Sequence, residues 1–309
     1  MKFLVTGGAG FIGSNIIEEL LKRGHEVRVL DNFSTGRRDN LKEFENDIEL
    51  IEGDIRSYHT VVQSVKGIEV ILHQAALPSV PRSIKDPITT NDVNIGGTLN
   101  ILDAAKENGV RRFVFASSSS VYGDNPELPK HEDMTPNPLS PYAVSKLTGE
   151  KYCQVFSKIY GLETVCLRYF NVFGPKQDPN SQYSAVIPKF IKAIKEEKQP
   201  IIYGDGTQSR DFTYVSNVVD ANILASTTKF DLGMVMNCAS HGQITLNKLI
   251  IEINNICDKN VEPKYERPRL GDIKHSYAKI ELISNILDYH PNIDFTTGLR
   301  KTIEFYNSL

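Results

Sequence analysis

Tyr142 and Lys146 stand four residues apart, and four consecutive serines, Ser117 to Ser120, precede them. On a helix, residues i and i+4 share one face, so the phenol and the ammonium would be neighbours. A free phenol titrates near ~10, and an adjacent ammonium favours the phenolate, which turns the tyrosine into a usable general base. The serine hydroxyls could hydrogen-bond the same substrate hydroxyl. With 13 tyrosines and 35 basic residues, such a spacing arises roughly once by chance. A half-buried tyrosine beside a solvated lysine would look the same in sequence. Position is what singles out this pair.

A second constellation opens the chain. Thr6-Gly7-Gly8-Ala9-Gly10-Phe11-Ile12-Gly13 sits between an apolar run and an amphipathic segment. Glycines there allow a tight turn, close approach of backbone to phosphate, and close helix–strand packing. The N–H groups at the following helix start then face an anion. Asp31 ends the second apolar run, where a carboxylate can accept from the ribose hydroxyls of a dinucleotide. A 2′-phosphate would be repelled there, which favours NAD over NADP; Arg37 and Arg38 weaken that preference slightly. A structural strand–turn–helix without ligand is the alternative.

Strands and helices must position these groups, and the apolar pattern supplies them. KFLV (2–5), EVRVL (26–30), IELIE (48–52), EVILH (69–73), RRFVFAS (111–117) and ETVCLRYF (163–170) read as buried strands. Helices are predicted over 12–23, ending at Gly24, over 94–108, stopping before Gly109, and over 141–160. The last has Ser140 as N-cap, Pro141 at N1 and Gly161 beyond its end. This alternation predicts a parallel sheet covered by helices on both faces. The Tyr–Lys helix then follows the fifth strand, on the side where a dinucleotide held by the first turn would place its reactive ring.

After Asn171 the chain changes character, with Pro175, Pro179, Pro188 and Pro200 marking loops. Helices are expected over 184–196 and 216–227, and VMNCA (235–239) is expected to return to the main sheet. The segments from Thr245 onward predict a small, mainly helical lobe interrupted by the polar stretch 264–276. The fold class is therefore α/β: a Rossmann-type doubly wound parallel sheet with a smaller α/β substrate-binding lobe. Residues 1–170 and about 211–240 form the first part; about 171–210 and 241–309 form the second, with a cleft between them.

Composition narrows the classes. The 309 residues are 40% hydrophobic and 24% charged, with a net charge of −3, so no basic field for nucleic acid is expected. No apolar run approaches the ~18–20 residues that span a bilayer, and a cytoplasmic protein is expected. Cys153, Cys166, Cys238 and Cys257 are widely spaced, without CxxC, and read as reduced core thiols. The seven histidines show no HExxH, and no metal is expected.

Taken together these segments resemble the extended short-chain dehydrogenase/reductase family, and within it the nucleotide-sugar 4-epimerases, over nearly the whole chain. TGGAGFIG is similar to that family's GxxGxxG in the register Gly7, Gly10, Gly13, with Phe11 and Ile12 between. The resemblance makes Asp31 and Asn32 the ribose pair, Asp54 and Ile55 the adenine-flanking pair, and Gln74, Ala75 and Ala76 the segment under the cofactor. It adds Tyr169 to the NAD site and gives Asn94 as support for the catalytic helix. SSSSVYGD (117–124) and SPYAVSK (140–146) are similar to its two catalytic segments, which assigns Ser118, Tyr142 and Lys146.

The resemblance also implies a UDP-sugar site. RYFNVFGP (168–175) offers Asn171 to the diphosphate. SAVIPKF (184–190) offers Ala185, Val186 and Lys189 near uracil. IYGDGTQSRDF (202–212) offers Tyr203 for the base, Gln208 for the ribose and Arg210 for a phosphate. RPRLGD (267–272) offers Arg269 for the diphosphate and Asp272 for a ribose hydroxyl. Arginine suits phosphate through its bidentate fork, although by spacing alone these arginines could be surface charges. Sugar-nucleotide dehydratases of the family carry Asp-Glu where this chain has Ser119 and Ser120. Members restricted to glucose and galactose tend to carry tyrosine where it has Ser276. A small residue there, together with Ser79 in LPSVPRS (77–83), implies room for a 2-acetamido group. The implied activity is reversible C4 epimerisation of UDP-GlcNAc and UDP-GalNAc by a homodimer with tightly bound NAD. The alternatives are UDP-glucose/UDP-galactose 4-epimerase, UDP-glucuronate 4-epimerase or decarboxylase, and a non-catalytic NAD sensor.

Overall fold

The computed structural model describes residues 1–179, 185–268 and 274–308. Strands β1 (Lys2–Thr6), β2 (Glu26–Asp31), β3 (Ile48–Glu52), β4 (Val70–His73), β5 (Arg112–Ser118) and β6 (Glu163–Tyr169) coincide with the apolar runs. With the strand Met234–Cys238 they form one seven-stranded sheet in the order Met234–Cys238, β6, β5, β4, β1, β2, β3. Every pairing in it is parallel. The strand order reverses between β1 and β4, and the crevice beyond the carboxyl ends of these two strands is where such sheets bind ligands.

Side chains alternate across the sheet as period two demands. Phe3, Val5, Val29, Leu72, Val114 and Leu167 enter one core, with Ile16, Ile17 and Leu20 of α1 (Phe11–Lys22) and Val218 and Ile223 of the helix Val215–Thr227. Leu4, Leu30, Ile71, Phe113 and Cys166 enter the other. There they meet α2 (Tyr58–Val65), α5 (Thr98–Glu107) and α6 (Pro141–Tyr160). Two short helices, α3 (Val80–Lys85) and α4 (Pro87–Asn91), precede a single π-helical turn at Asp92–Gly97 that leads into α5. The helix predicted over 94–108 is thus a π turn joined to an α-helix, and α2, α3 and α4 lie outside the predicted set. Cys153, Cys166 and Cys238 are buried and Cys257 is half-buried, all as free thiols.

The second part contains the helices Val186–Lys195, Leu246–Cys257, Glu281–Leu287 and Phe295–Asn307. It is less purely helical than expected from Thr245 onward. Within the polar stretch, Lys264–Glu266 pairs in parallel with Ile201–Tyr203, and His275–Ser276 pairs in parallel with Ser209–Arg210. Ile244–Thr245 flanks Ser209–Arg210 on its other side, antiparallel. No described helix is long and apolar enough to cross a membrane.

Candidate active site

The glycine turn lies at the reversal of strand order. Gly7 has φ +68°, and a Cβ there would sit 2.7 Å from the Ala75 nitrogen, so a side chain is excluded both by conformation and by space. A Cβ on Gly13 would meet Gly7 and Gly8, which keeps α1 close against the turn. Gly10 differs: a Cβ there would have only the Gly7 carbonyl oxygen, at 3.1 Å, near it. Its open side faces the crevice at the start of a helix whose N-terminus, among the described residues, has no side-chain cap and no acid in its first turn. This is a cradle for an anion, as a pyrophosphate requires, and half-buried Phe11 and Ile12 begin the helix behind it.

Asp31 closes β2 with its carboxylate anchored, Oδ2 accepting from the Ala9 N–H at 2.9 Å and Oδ1 from Phe33 at 2.7 Å. Burial pushes this carboxyl up, against the two backbone donors. Each oxygen keeps a second lone pair for a ribose hydroxyl. Arg37 pairs with Asp39 at 3.1 Å and Arg38 with Glu52 at 2.6 Å. The two guanidinium groups that could have served a 2′-phosphate are thus engaged by carboxylates. Asn32 donates to Asp54 at 2.8 Å, and Arg56 beside Asp54 holds its carboxyl down at about 2. Ile55 packs under Gly97. After β4, Gln74 donates to the Tyr169 hydroxyl at 3.1 Å, which also accepts from Asn222 at 2.8 Å. Ala75 and Ala76 follow, half-buried. Asn94 is buried; its Oδ1 accepts from Leu77 N–H at 2.7 Å and its amide donates to Leu77 O and Ser145 Oγ.

The helix α6 has its predicted bounds: the Ser140 hydroxyl accepts from Ala143 N–H at 3.2 Å, and Gly161 terminates it at φ +71°. Lys146 is 4% exposed, which removes the reading of a solvated lysine. Its Nζ donates to the Ala116 carbonyl at 2.7 Å and lies 5.0 Å from the Phe115 ring centroid and 5.9 Å from that of Tyr142. Burial brings this ammonium down to about 8. The Tyr142 phenol behaves differently from the expectation. Burial pushes it up, and the opposing influence is a hydrogen bond with Ser118 rather than the charge of Lys146. The tyrosine is therefore held as the neutral phenol.

The serines divide. Ser118 accepts from Ser120 N–H at 3.2 Å and reaches Tyr142, whereas Ser117 turns behind the strand and donates to Glu150 at 2.5 Å. Ser117 is thus withdrawn from any substrate. Glu150 also holds Arg168 through two hydrogen bonds of 2.8 Å, a buried ion pair that sequence patterns did not single out. Ser119 is half-buried, and the Ser120 hydroxyl is buried without a partner among the described residues.

Of the residues expected to meet a nucleotide-sugar, Asn171, Tyr203, Gln208, Arg210 and Ser276 come together on and beside Ser209–Asp211. Arg210 donates to the carbonyls of Ser209 and Lys274, at 2.8 and 3.1 Å, and stands opposite Ser276 in the strand register. Asn171, at φ +32°, directs its amide to the Asp211 carbonyl at 3.4 Å. Buried Asp211, whose carboxyl burial raises to about 6, accepts from the N–H groups of Ser240 and Ala278. It fastens the neighbouring loops, another role with no sequence signal. Gln208 donates to the Tyr203 carbonyl at 2.7 Å. Ala185 and Lys189 are exposed and Val186 half-buried at the start of the helix Val186–Lys195. Ser79, at φ +97°, caps α3 by accepting from Arg82 N–H. Arg269 and Asp272 lie outside the described residues.

Asn237 joins this cluster to the segment that follows β5. It accepts from the Tyr122 hydroxyl at 2.6 Å, just beyond Ser118, and donates to the carbonyls of Lys130 and Lys279, just beyond Ser276.

The family model described as NAD dependent epimerase/dehydratase family matches residues 3–239. A UDP-glucose 4-epimerase of Mycolicibacterium smegmatis is 37% identical over 317 residues, covering 100% of this chain and 99% of the relative. Among solved structures, the UDP-N-acetylglucosamine 4-epimerase of Methanobrevibacter ruminantium M1, in complex with UDP-N-acetylmuramic acid, is 41% identical with a TM-score of 0.95. That match covers 99% of this chain and 98% of the other. The UDP-glucose 4-epimerase of Thermus thermophilus, in complex with NAD, is 35% identical with a TM-score of 0.91 and covers 99% of each chain. The cradle at Gly10, the anchored Asp31 and the engaged Arg37 and Arg38 fit the cofactor that these likenesses bring with them. The chain belongs to the NAD dependent epimerase/dehydratase family, and NAD is its cofactor.

Proposed function

We propose that this protein interconverts UDP-hexoses at C4, with UDP-GlcNAc and UDP-GalNAc as its preferred pair. The observation that carries the reading is the position of Tyr142, Lys146 and Ser118 at the carboxyl end of β5, beside the crevice that holds the dinucleotide turn. Residues 1–170 with about 211–240 are read as the NAD-binding part, and the remainder as the sugar-nucleotide lobe.

Oxidation of a C4 alcohol removes a proton from O4 and a hydride from C4. NAD+, held by the Gly7–Gly13 turn and Asp31, would supply the hydride chemistry. The remaining work falls to side chains. Tyr142 takes the O4 proton, and Ser118, whose hydroxyl lowers the phenol against the effect of burial, orients the O4 hydroxyl. Burial raises the phenol, so its proton is released only with a cation close by; Lys146, one turn on with its Nζ 5.9 Å from the ring centroid, is read as the source of that charge. Arg210 and Asn171 hold the diphosphate, so the hexose can turn about that anchor and present its other face. Ser276, opposite Arg210, leaves space for a 2-acetamido group.

The unsubstituted pair UDP-glucose and UDP-galactose is the second reading, favoured by relatives of that name. Incubation with UDP-GlcNAc, UDP-glucose and UDP-glucuronate in parallel, followed by proton NMR of the anomeric and H4 signals, separates them. Conversion of UDP-glucose without UDP-GlcNAc refutes the argument from Ser276. Loss of the C6 carboxyl from UDP-glucuronate would point to a decarboxylase. A homodimer through α5 and α6 is also proposed. Val144, Val155 and Ile159 lie exposed along α6.

A further inference from the structure

Buried His73, the last residue of β4, plays no part in the scheme above, yet it touches both halves of the site. Its Nδ1 is 2.7 Å from Thr6 Oγ1, at the end of β1, and its Nε2 is 3.0 Å from Thr98 Oγ1, at the start of α5. The proton positions follow from the neighbours. The Thr98 hydroxyl donates to the Asn94 carbonyl at 2.6 Å, and that single proton is then used. Thr98 Oγ1 can therefore only accept from the imidazole, which places the ring proton on Nε2. Nδ1 is then the acceptor, and the Thr6 hydroxyl donates to it. Thr6 Oγ1 in turn accepts from the Ala75 N–H at 3.3 Å, the backbone group against which Gly7 packs.

The opposite tautomer would set two lone pairs against each other between Nε2 and Thr98, in a site where such a mismatch is costly. Beyond Thr98 a second run starts at Asn94. The Asn94 amide donates to Ser145 Oγ at 3.0 Å, and the Ser145 hydroxyl donates to the Tyr142 carbonyl at 2.8 Å. Phe113 and Phe115 pack on the imidazole, with centroids at 5.4 and 5.9 Å.

We propose that His73, fixed as the neutral Nε2–H tautomer, is a positioning residue: it joins the dinucleotide turn to the first turn of the catalytic helix through two hydrogen-bonded runs that meet at Asn94, one from Ala75 N–H to the Asn94 main-chain carbonyl and one from the Asn94 side-chain amide to the Tyr142 carbonyl. The proposal rests on Tyr142 acting as the base, but the tautomer can be read without any turnover. Burial, and then the ammonium of Lys146, hold the imidazole down at about 3, so the ring stays neutral throughout the working range. Misplacing a catalytic group by a fraction of an ångström lowers turnover without weakening the binding of remote parts of the substrate.

Nitrogen-15 NMR of the wild-type protein with labelled histidine gives the first test, the His73 signals being identified by their loss in His73→Phe. The expected pattern is a protonated Nε2 and an unprotonated Nδ1, unchanged between pH 5 and 9. A proton on Nδ1, or titration near pH 6–7, overturns the chain. The second test is kinetic. His73→Phe should lower kcat by about ten- to a hundredfold with KM for the UDP-sugar unchanged, and His73→Gln, which keeps a donor and an acceptor, should recover part of the loss. Should His73→Phe not fold, Thr98→Val, which removes the acceptor for Nε2–H, is expected to give the same split. Unchanged kcat, or a rise in KM alone, overturns the positioning role. A wild-type protein inactive on every UDP-sugar defeats the functional reading instead, and the NMR pattern still decides the hydrogen-bonded chain.

Discussion

Replacing Lys146 by methionine should stabilise the protein while abolishing its turnover. The ammonium is buried, and burial brings it from its ordinary 10.5 down to about 8. At roughly 1.4 kcal/mol per pK unit, keeping it charged in the fold costs about 3 kcal/mol at pH 7. Methionine retains the stem and removes the charge, but it forfeits the hydrogen bond to the Ala116 carbonyl, whose loss costs about 1–2 kcal/mol. The net gain expected for Lys146→Met at pH 7 is about 1–2 kcal/mol, or a Tm higher by about 1–3 °C for a chain of this size. The sign of the pH dependence follows from linkage. Below about pH 8 both folded and unfolded wild type carry the proton, and the penalty is fully present. Between about 8 and 10.5 the folded lysine has lost its proton while the unfolded one keeps it, so wild-type stability rises and the advantage of the variant shrinks. Thermal unfolding of both proteins, stripped of cofactor, at pH 7, 8, 9 and 10 measures this. A variant less stable at pH 7, or a gap that does not narrow above pH 8, would refute the reasoning.

Other perturbations test separate parts of the site. Tyr142→Phe should reduce kcat by at least ~10³-fold and leave UDP affinity, measured by calorimetry, within about twofold of wild type, because it removes only the proton acceptor. Gly10→Ala should fold, its Cβ meeting only the Gly7 carbonyl oxygen at 3.1 Å, but purify with less bound NAD; absorbance and enzymatic assay of the released nucleotide report this. Ser276→Tyr should cut kcat/KM for UDP-GlcNAc at least tenfold more than for UDP-glucose. Equal loss on both sugars would separate that position from the 2-acetamido group.

The large elements were legible because their signals are local. Ser140, Pro141 and Gly161 delimit α6 by capping chemistry alone, and strands buried on both faces write themselves as runs of Val, Ile and Phe. The strand Met234–Cys238 joined the main sheet for the same reason. By contrast, Ser209–Arg210 and His275–Ser276 are two residues long and pair across a large sequence separation, and neither length nor periodicity announces them. The buried polar groups were equally silent. His73 sits at the end of an apolar run, and the partnership of Glu150 with Arg168 is set by the packing of α6 on β6. The phenol of Tyr142 shows why spacing cannot deliver a titration. The spacing puts the ammonium one turn from the phenol, but burial raises the phenol and the influence opposing it comes from Ser118, not Lys146.

The central claim is that C4 is oxidised and reduced again within one site, with the hydride held by NAD and the proton by Tyr142. UDP-GlcNAc carrying deuterium at C4 tests it most directly. The account predicts UDP-GalNAc with deuterium still on C4 and no wash-out into water, as read by NMR and mass spectrometry. Product that has exchanged its C4 label for solvent hydrogen, or no C4 inversion of any UDP-hexose, would contradict it.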